Sequence, residues 1–350
     1  MLKKINLIIT AFVLGLLLSA CSGSYDLEDR AFATAIAADW SADEGYQIIV
    51  SLPSLDKDEA LTRTTRSAQA PALKEAMAKI DRNMTKRIYY GHTKAVILGA
   101  DLLRSRSAMT ELADYLADNV QIDKNLIITG AYNIEEIMSL EPEEDKLTGF
   151  YISSFYDSGN EQKTFVNKET LLDLLKDRSE GVSAAVPLLS AVDDEPTFTG
   201  IAVLKNGSLC GILEQDAAYG FMWLTDKSFN GTLTSQAPAV STEIMEKETS
   251  YAFYEEEGEL CAGAVIDVQG NMWNFTDDEI KSKASEYLSV FKNKIADQAQ
   301  AALAELSKMD CDPLNLSDLL KENNPELYEK YKGAVPSNVN ISVNLSLNFV

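Results

Sequence analysis

Apolar and polar positions change period along this chain, and each period names an element. Leu73, Ala76, Met77, Ile80 and Met84 recur at the spacing of one helical face and predict a helix ending near Asn83. Met109, Leu112 and Leu116 predict a second helix, "NKETLLDLLKD" a third ending near Gly181, and "EQDAAYGFMWLTD" a fourth. The longest stripe is Ile280, Ala284, Tyr287, Phe291, Ile295, Ala302 and Leu306, a helix of roughly 30 residues. Thr276 and Glu279 stand ahead of it at capping-box spacing, as Asn133 and Glu136 do for the short "IEEIMSL". Two further short helices are expected after it, the second entered through Asn324-Pro325. At the very end the period drops to two. Val339, Ile341, Val343, Leu345, Leu347 and Phe349 alternate with polar residues, which predicts a strand with one face in a core and one in water.

Shorter apolar runs predict further strands at "AFATAIA", "YQIIVSL", "TKAVILG" and "NLIITGAY". "RIYY" leads into "TKAVILG" through a turn at Gly91. "GIAVLKNGSLCGIL" reads as a hairpin, because Asn206-Gly207 suits a type I′ turn between β-rich runs. Three strands are expected between about 238 and 270, "SYAFYEE" and "CAGAVIDV" among them. Residues 55–70 are polar and unpatterned and are expected to form a mobile loop; residues 141–165 show no readable period. Hairpins, alternating strands and amphipathic helices together give an α+β class, with mixed or antiparallel sheets packed by helices. "VDDEPTF" at 192–198 marks an expected boundary. The expected divisions are a targeting segment at 1–20, an N-terminal α+β domain at 21–195, a small hairpin–helix domain at 196–236, and a C-terminal α+β domain at 237–350.

The first residues say where the chain goes. Lys3 and Lys4 precede an apolar run from Ile5 to Leu18, 14 residues long, short of the roughly 20 that a spanning helix needs. Leu18-Ser19-Ala20-Cys21 then resembles the lipobox of bacterial lipoproteins. The resemblance implies cleavage between Ala20 and Cys21, a lipid on the Cys21 sulfur, and the bilayer as a partner. Each buried methylene of such a lipid contributes about 0.8 kcal/mol. The chain carries 31 Lys and Arg against 54 Asp and Glu, a net charge of −23. Without Lys3 and Lys4 the balance is 29 against 54, or −25. That balance argues against nucleic acid as a partner and repels anionic headgroups, so the tethered body is expected to ride above its membrane. Cys210, Cys261 and Cys311 remain, an odd set with no C-x-x-C spacing, each in an apolar stretch, and are expected to be buried free thiols.

Candidate chemistry is sparse. His92, in "YYGHTKAVILG", is the sole histidine, which excludes His-rich zinc sites and two-histidine catalysis within one chain. No G-x-S-x-G, P-loop or G-x-G-x-x-G occurs. "EPEED", "EEEGE" and "DDE" read as solvated acidic stretches. No catalytic residue, metal or cofactor is expected.

The order of these segments resembles the Ger(x)C family, the lipoprotein C subunits of spore germinant receptors in endospore-forming bacteria. A lipobox cysteine is followed by the stretch from Leu27 to Ala35. The pattern R-x-Y-x-G-H-x-K-x-x-x-x-G is met by Arg87, Tyr89, Gly91, His92, Lys94 and Gly99. Gly200 to Leu213 follow the family's central hairpin, with Leu204 where the family has phenylalanine, and Gly220 to Thr225 follow its G-L-L-W-L-T. The long helix, "NNPELYEKYKG" and the alternating terminal strand match its ending. Cys311-Asp312-Pro313-Leu314 replaces the family's acidic-aromatic stretch, and the tryptophan expected after the last helix is absent. The resemblance implies a non-enzymatic, lipid-anchored subunit on the outer face of the spore inner membrane, partnered by A and B integral-membrane subunits and needed for receptor assembly or signalling. Tyr89, Gly91, His92, Lys94 and Trp223 would be the family-motif residues open to partner contact. The alternative is a solute-binding lipoprotein of a nutrient transporter, whose two repeated lobes are not visible here.

Overall fold

The computed structural model describes residues 29–55, 57–142, 145–156, 167–225, 231–273, 275–309, 311–332 and 334–350, with 277–281 as backbone alone. Ala20, Cys21, Leu27 and the expected cleavage site lie outside these residues, as do residues 157–165; Glu279 of the expected capping box falls in the backbone-only stretch.

Two sheets organise the chain. The larger has eight strands, in the order β10-β9-β8-β7-β6-β2-β3-β4. These are β2 (Ala35–Ser41), β3 (Gly45–Leu55), β4 (Leu61–Ala70), β6 (Ala95–Gly99), β7 (Ile127–Ala131), β8 (Ser183–Val192), β9 (Glu195–Lys205) and β10 (Ser208–Glu214). Its central strands β2, β6, β7 and β8 run parallel, and antiparallel hairpins flank them on both sides. Helices cover both faces. Ile36, Val96, Leu98 and Ile128 face α1 (Leu73–Arg82), α2 (Ala100–Arg104), α3 (Arg106–Asp118) and α6 (Leu171–Glu180). Ala35, Ala37, Ile97 and Ile127 face α4 (Ile134–Ser139) and α5 (Thr148–Ser154). Burial on two faces explains why "AVILG" reads as an unbroken apolar run. A two-stranded parallel ribbon, β1 (Arg30–Phe32) with β5 (Arg87–Tyr89), stands apart from the large sheet.

The smaller sheet has the order β11-β12-β13-β14: β11 (Gly231–Gln236), β12 (Ala239–Glu256), β13 (Glu259–Met272) and β14 (Asn338–Phe349). One face is covered, chiefly by α8 (Asp277–Leu306), whose Tyr287, Phe291, Ile295, Ala302 and Leu306 are buried against it and against α7 (Gln215–Leu224). Ala284 of the expected stripe is half-buried. On β14 every odd residue from Val339 to Phe349 is buried or half-buried and every even one is exposed. The α+β class is what the structure shows, and one apolar cluster runs from a face of the large sheet through α7 and α8 into the smaller one. Short helices α9 (Leu316–Asn323) and α10 (Pro325–Lys330) join α8 to β14, and Asn324 caps α10 by accepting from the Leu327 N–H at 3.2 Å.

Three expectations change, and the expected boundary at 192–198 acquires a structure. Residues 61–70 are not a loop but β4, paired along its length with β3. Their Thr- and Arg-rich sequence suits an outermost strand whose side chains stay largely wet, so no apolar alternation marks it. The expected boundary at 192–198 is the tight turn of the β8–β9 hairpin, made by positive φ at Asp193 (52°) and Asp194 (63°). The segment 196–236 accordingly builds no sheet of its own: β9 and β10 extend the large sheet, while β11 belongs to the smaller. Between 238 and 270 lie two long strands rather than three, turning at Glu257-Gly258. The Asn206-Gly207 turn forms as expected, with φ of 53° and 74°.

Candidate functional site

The family-motif residues fall in two places. The first is the ribbon β1–β5 and the single 3-10 turn, Tyr90–His92, that follows it. Parallel pairing sets Phe32 opposite Tyr89 and Arg30 opposite Arg87 on one face, and Ala31 opposite Ile88 on the other. Ile88 and Tyr90 point inward and are buried. Burial raises the Tyr90 hydroxyl well above the usual phenol range, with Asp81 and Tyr115 adding to the effect. Tyr89 turns outward, and its ring meets Phe32 edge-on at 5.9 Å between centroids and His92 at 5.8 Å. The Phe32 and His92 rings meet at 5.1 Å and 89°. The Arg30 guanidinium lies 4.9 Å from the centre of the Tyr89 ring, a cation–π contact.

Gly91 makes room for the end of the Tyr89 side chain. A Cβ there would stand 2.5 Å from the Tyr89 ring and its hydroxyl, so any side chain would drive Tyr89 off the turn. This replaces the expectation that Gly91 serves the turn itself. Nor is the segment a hairpin: β5 pairs with β1, whereas β6 pairs with β2 and β7. Lys94 joins the two, its N–H donating to the Thr34 carbonyl at 2.9 Å and its carbonyl accepting from Ile127 at 2.9 Å. Its exposed ammonium sits 5.7 Å from the centre of the Phe150 ring. Sequence and structure thus bring Tyr89, Gly91, His92 and Lys94 together at one end of the large sheet. His92 is exposed and packed among aromatic rings, an arrangement that supplies no nucleophile for it to activate.

The second place is α7, and it corrects the reading of Trp223. That residue is fully buried, 0 % exposed, and cannot touch a partner without unfolding. Its Nε1–H donates to Oε1 of Gln298 on α8 at 2.8 Å, and Gln298 Nε2 donates to Asp216 Oδ1 at 2.9 Å. Gly220 lets the two helices touch: a Cβ there would stand 1.8 Å from the Gln298 carbonyl oxygen.

The end of α7 is held by side chains that sequence reasoning missed. A helix C-terminus leaves its last carbonyls without helical partners. Here Lys247 donates to the Met222 carbonyl at 2.9 Å and also to that of Thr225, Thr249 donates to Trp223 at 2.6 Å, and the Tyr251 hydroxyl donates to Leu224 at 2.6 Å. Residues 247, 249 and 251 alternate along β12, so they share one face. That face is the core face, because their partners Val268, Ile266 and Ala264 are buried. Polar residues recurring at period two where the neighbouring strand is apolar were the available signal.

Among the described residues no group of three or more His, Cys, Asp and Glu could hold a metal ion, and no helix is long and apolar enough to cross a membrane. Cys261 is buried as expected, Cys210 and Cys311 are only half-buried, and none of the three is in a disulfide.

Comparison with known proteins matches residues 23–191 to the spore germination protein N-terminal domain and residues 199–349 to the spore germination B3/GerAC-like C-terminal domain. The two matches stop on either side of the Asp193-Asp194 turn, whereas the large sheet runs through it. Spore germination protein KC of Bacillus subtilis is 21 % identical over 95 % of this chain and 91 % of its own length. Spore germination protein B3 of the same organism is 20 % identical over 92 % of this chain and 90 % of its own. The crystal structure of the GerBC protein has the same fold, with a TM-score of 0.56 at 14 % identity, over 90 % of this chain and 96 % of that one. Matched through both of its halves, the chain belongs to the Ger(x)C family of spore germination proteins.

Proposed function

We propose that this chain is the C subunit of a spore germinant receptor, without enzymatic activity, held by a lipid on Cys21 at the outer face of the spore inner membrane. Its partners are an A and a B integral-membrane subunit, and its role is to assemble the receptor or pass on its signal. The family match along both halves carries this reading. The geometry is consistent with it: Trp223 serves packing, and His92 sits among rings rather than beside a nucleophile. The test is to solubilise spore inner membranes in mild detergent and recover the tagged chain. Two polytopic membrane proteins in the purified complex are the expected result, with Cys21→Ala accumulating as precursor. Recovery with the subunits of an ATP-driven transporter instead would overturn the reading in favour of solute delivery.

A further inference from the structure

The outer face of the β1–β5 ribbon combines three properties that occur together nowhere else in the sequence. Its surroundings are basic: Arg87 on the ribbon and exposed Lys86, His92 and Lys94 beside it fall within nine consecutive positions that contain no acid, in a chain with 54 acidic residues. Arg30 joins them through its register with Arg87. It is aromatic, for Phe32, Tyr89 and His92 form one half-exposed cluster on that face. And it lies where the chain enters the fold. Arg30 is nine residues after Cys21, and nine extended residues span at most about 30 Å.

We infer that this face is a second membrane contact, which lays the N-terminal end of the body against an anionic bilayer surface beside its lipid anchor. The inference rests on the proposed lipidation of Cys21. Charge complementarity selects the occupant. Without Lys3 and Lys4 the lipidated body carries −25 and is repelled by anionic headgroups except at a local basic face, so that face sets which way the body turns. Arginine and lysine near an anionic surface each raise binding about fivefold. Half-exposed Tyr and Phe suit the headgroup layer, where the ring is apolar and the hydroxyl is wet. The Tyr89 ring, packed edge-on against Phe32 and His92, also holds the Arg30 guanidinium in place, so little side-chain freedom is lost when a headgroup binds it. The bulk charge that argues for a body riding above its membrane therefore argues equally for a single preferred orientation.

The test uses the full lipidated chain reconstituted into two kinds of vesicle, phosphatidylcholine alone and phosphatidylcholine with about 30 % phosphatidylglycerol. Lysine acetylation is read at Lys86 and Lys94, with exposed Lys332 as the internal reference. The expected result is at least about fivefold protection of Lys86 and Lys94 in the anionic vesicles alone. It disappears in about 1 M salt, where charges are screened beyond about 3 Å. Arg30→Glu with Arg87→Glu should abolish the protection while the chain still floats with both vesicles. Equal labelling in both lipids, with flotation intact, overturns this inference and leaves the anchor standing. A chain that floats with neither vesicle has no anchor and takes the inference down with it. Protection that requires the integral-membrane subunits and ignores lipid charge assigns the face to a protein partner, which also overturns it.

Discussion

Strands β6 and β14 both send apolar side chains into a core, yet they are built for opposite surroundings. All five residues of β6, Ala95 to Gly99, are buried, since helices lie on both faces of the large sheet. On β14 burial alternates residue by residue, because α8 covers one face of the smaller sheet and nothing described covers the other. The difference teaches that an apolar period reports how many faces a strand buries, and not which strands it pairs with. β6 and β14 each lie parallel to a neighbour, β6 beside β2 and β7, β14 beside β13.

The largest effect tests the two-sided strand. Val96 and Ile97 are adjacent, point to opposite faces, and are both 0 % exposed. Val96→Asp and Ile97→Asp should each cost more than about 4 kcal/mol, since each buries an unpaired carboxyl or forces the sheet to open. Soluble yield and cooperative melting measure this. Tolerance of either substitution would mean that one face of β6 is wet and would dissolve the contrast with β14. Leu345→Arg comes next. Leu345 is buried but lies on an outermost strand, so part of the long side chain can escape to water, and a loss of about 3 kcal/mol is expected.

The seam between the two regions should respond less strongly. Gly220→Val places a branched side chain where even a Cβ would overlap the Gln298 carbonyl, which forces α7 away from α8 and costs about 2–3 kcal/mol. Gln298→Leu keeps the volume but leaves the Trp223 Nε1–H buried without its acceptor, a loss of about 1–3 kcal/mol. In both variants Trp223 fluorescence should shift as its surroundings loosen. An unchanged melting curve for both would mean that the two sheets are stable independently of α7.

These expectations also mark what was legible in the sequence. With one face dry and the other wet, the period alone located α8 and β14, and the Asn206-Gly207 turn was named by its φ requirement. β4 was not legible, because an outermost strand with polar residues on both faces has no apolar period to find. The ribbon β1–β5 was not legible either. Each strand is three residues long, and the partner of Arg30 is Arg87, far along the chain. Pairing across such a distance is decided by the sheet and helices that bring the ends together. The same holds for the site: "YYGHTKAVILG" contains Tyr89, Gly91 and His92, but Phe32, which completes the cluster, lies on another strand. Trp223 stood out in the sequence as a residue open to partner contact, but it is buried, and Gln298, the residue it bonds, lay unremarked within the polar residues of α8.

The smallest expected effect tests the wet face of β14 most sharply. Asn344 is next to Leu345 but exposed, and its side-chain Nδ2–H donates to Asp267 Oδ1 at 2.9 Å across the parallel pair. Beyond Asp267 in the same row lies Glu248, also exposed. Asn344→Arg therefore exchanges one hydrogen bond for a charge facing two carboxylates in water, and stability should change by no more than about 0.5 kcal/mol. Asn344→Glu sets like charges directly opposite and should cost up to about 1 kcal/mol, less at high salt. The order Arg, then Asn, then Glu in melting temperature, narrowing as salt is added, is the signature of a solvated acidic face. If Asn344→Arg instead destabilised the chain as much as Leu345→Arg does, β14 would be covered on both faces like β6, and the contrast between the two strands would be lost.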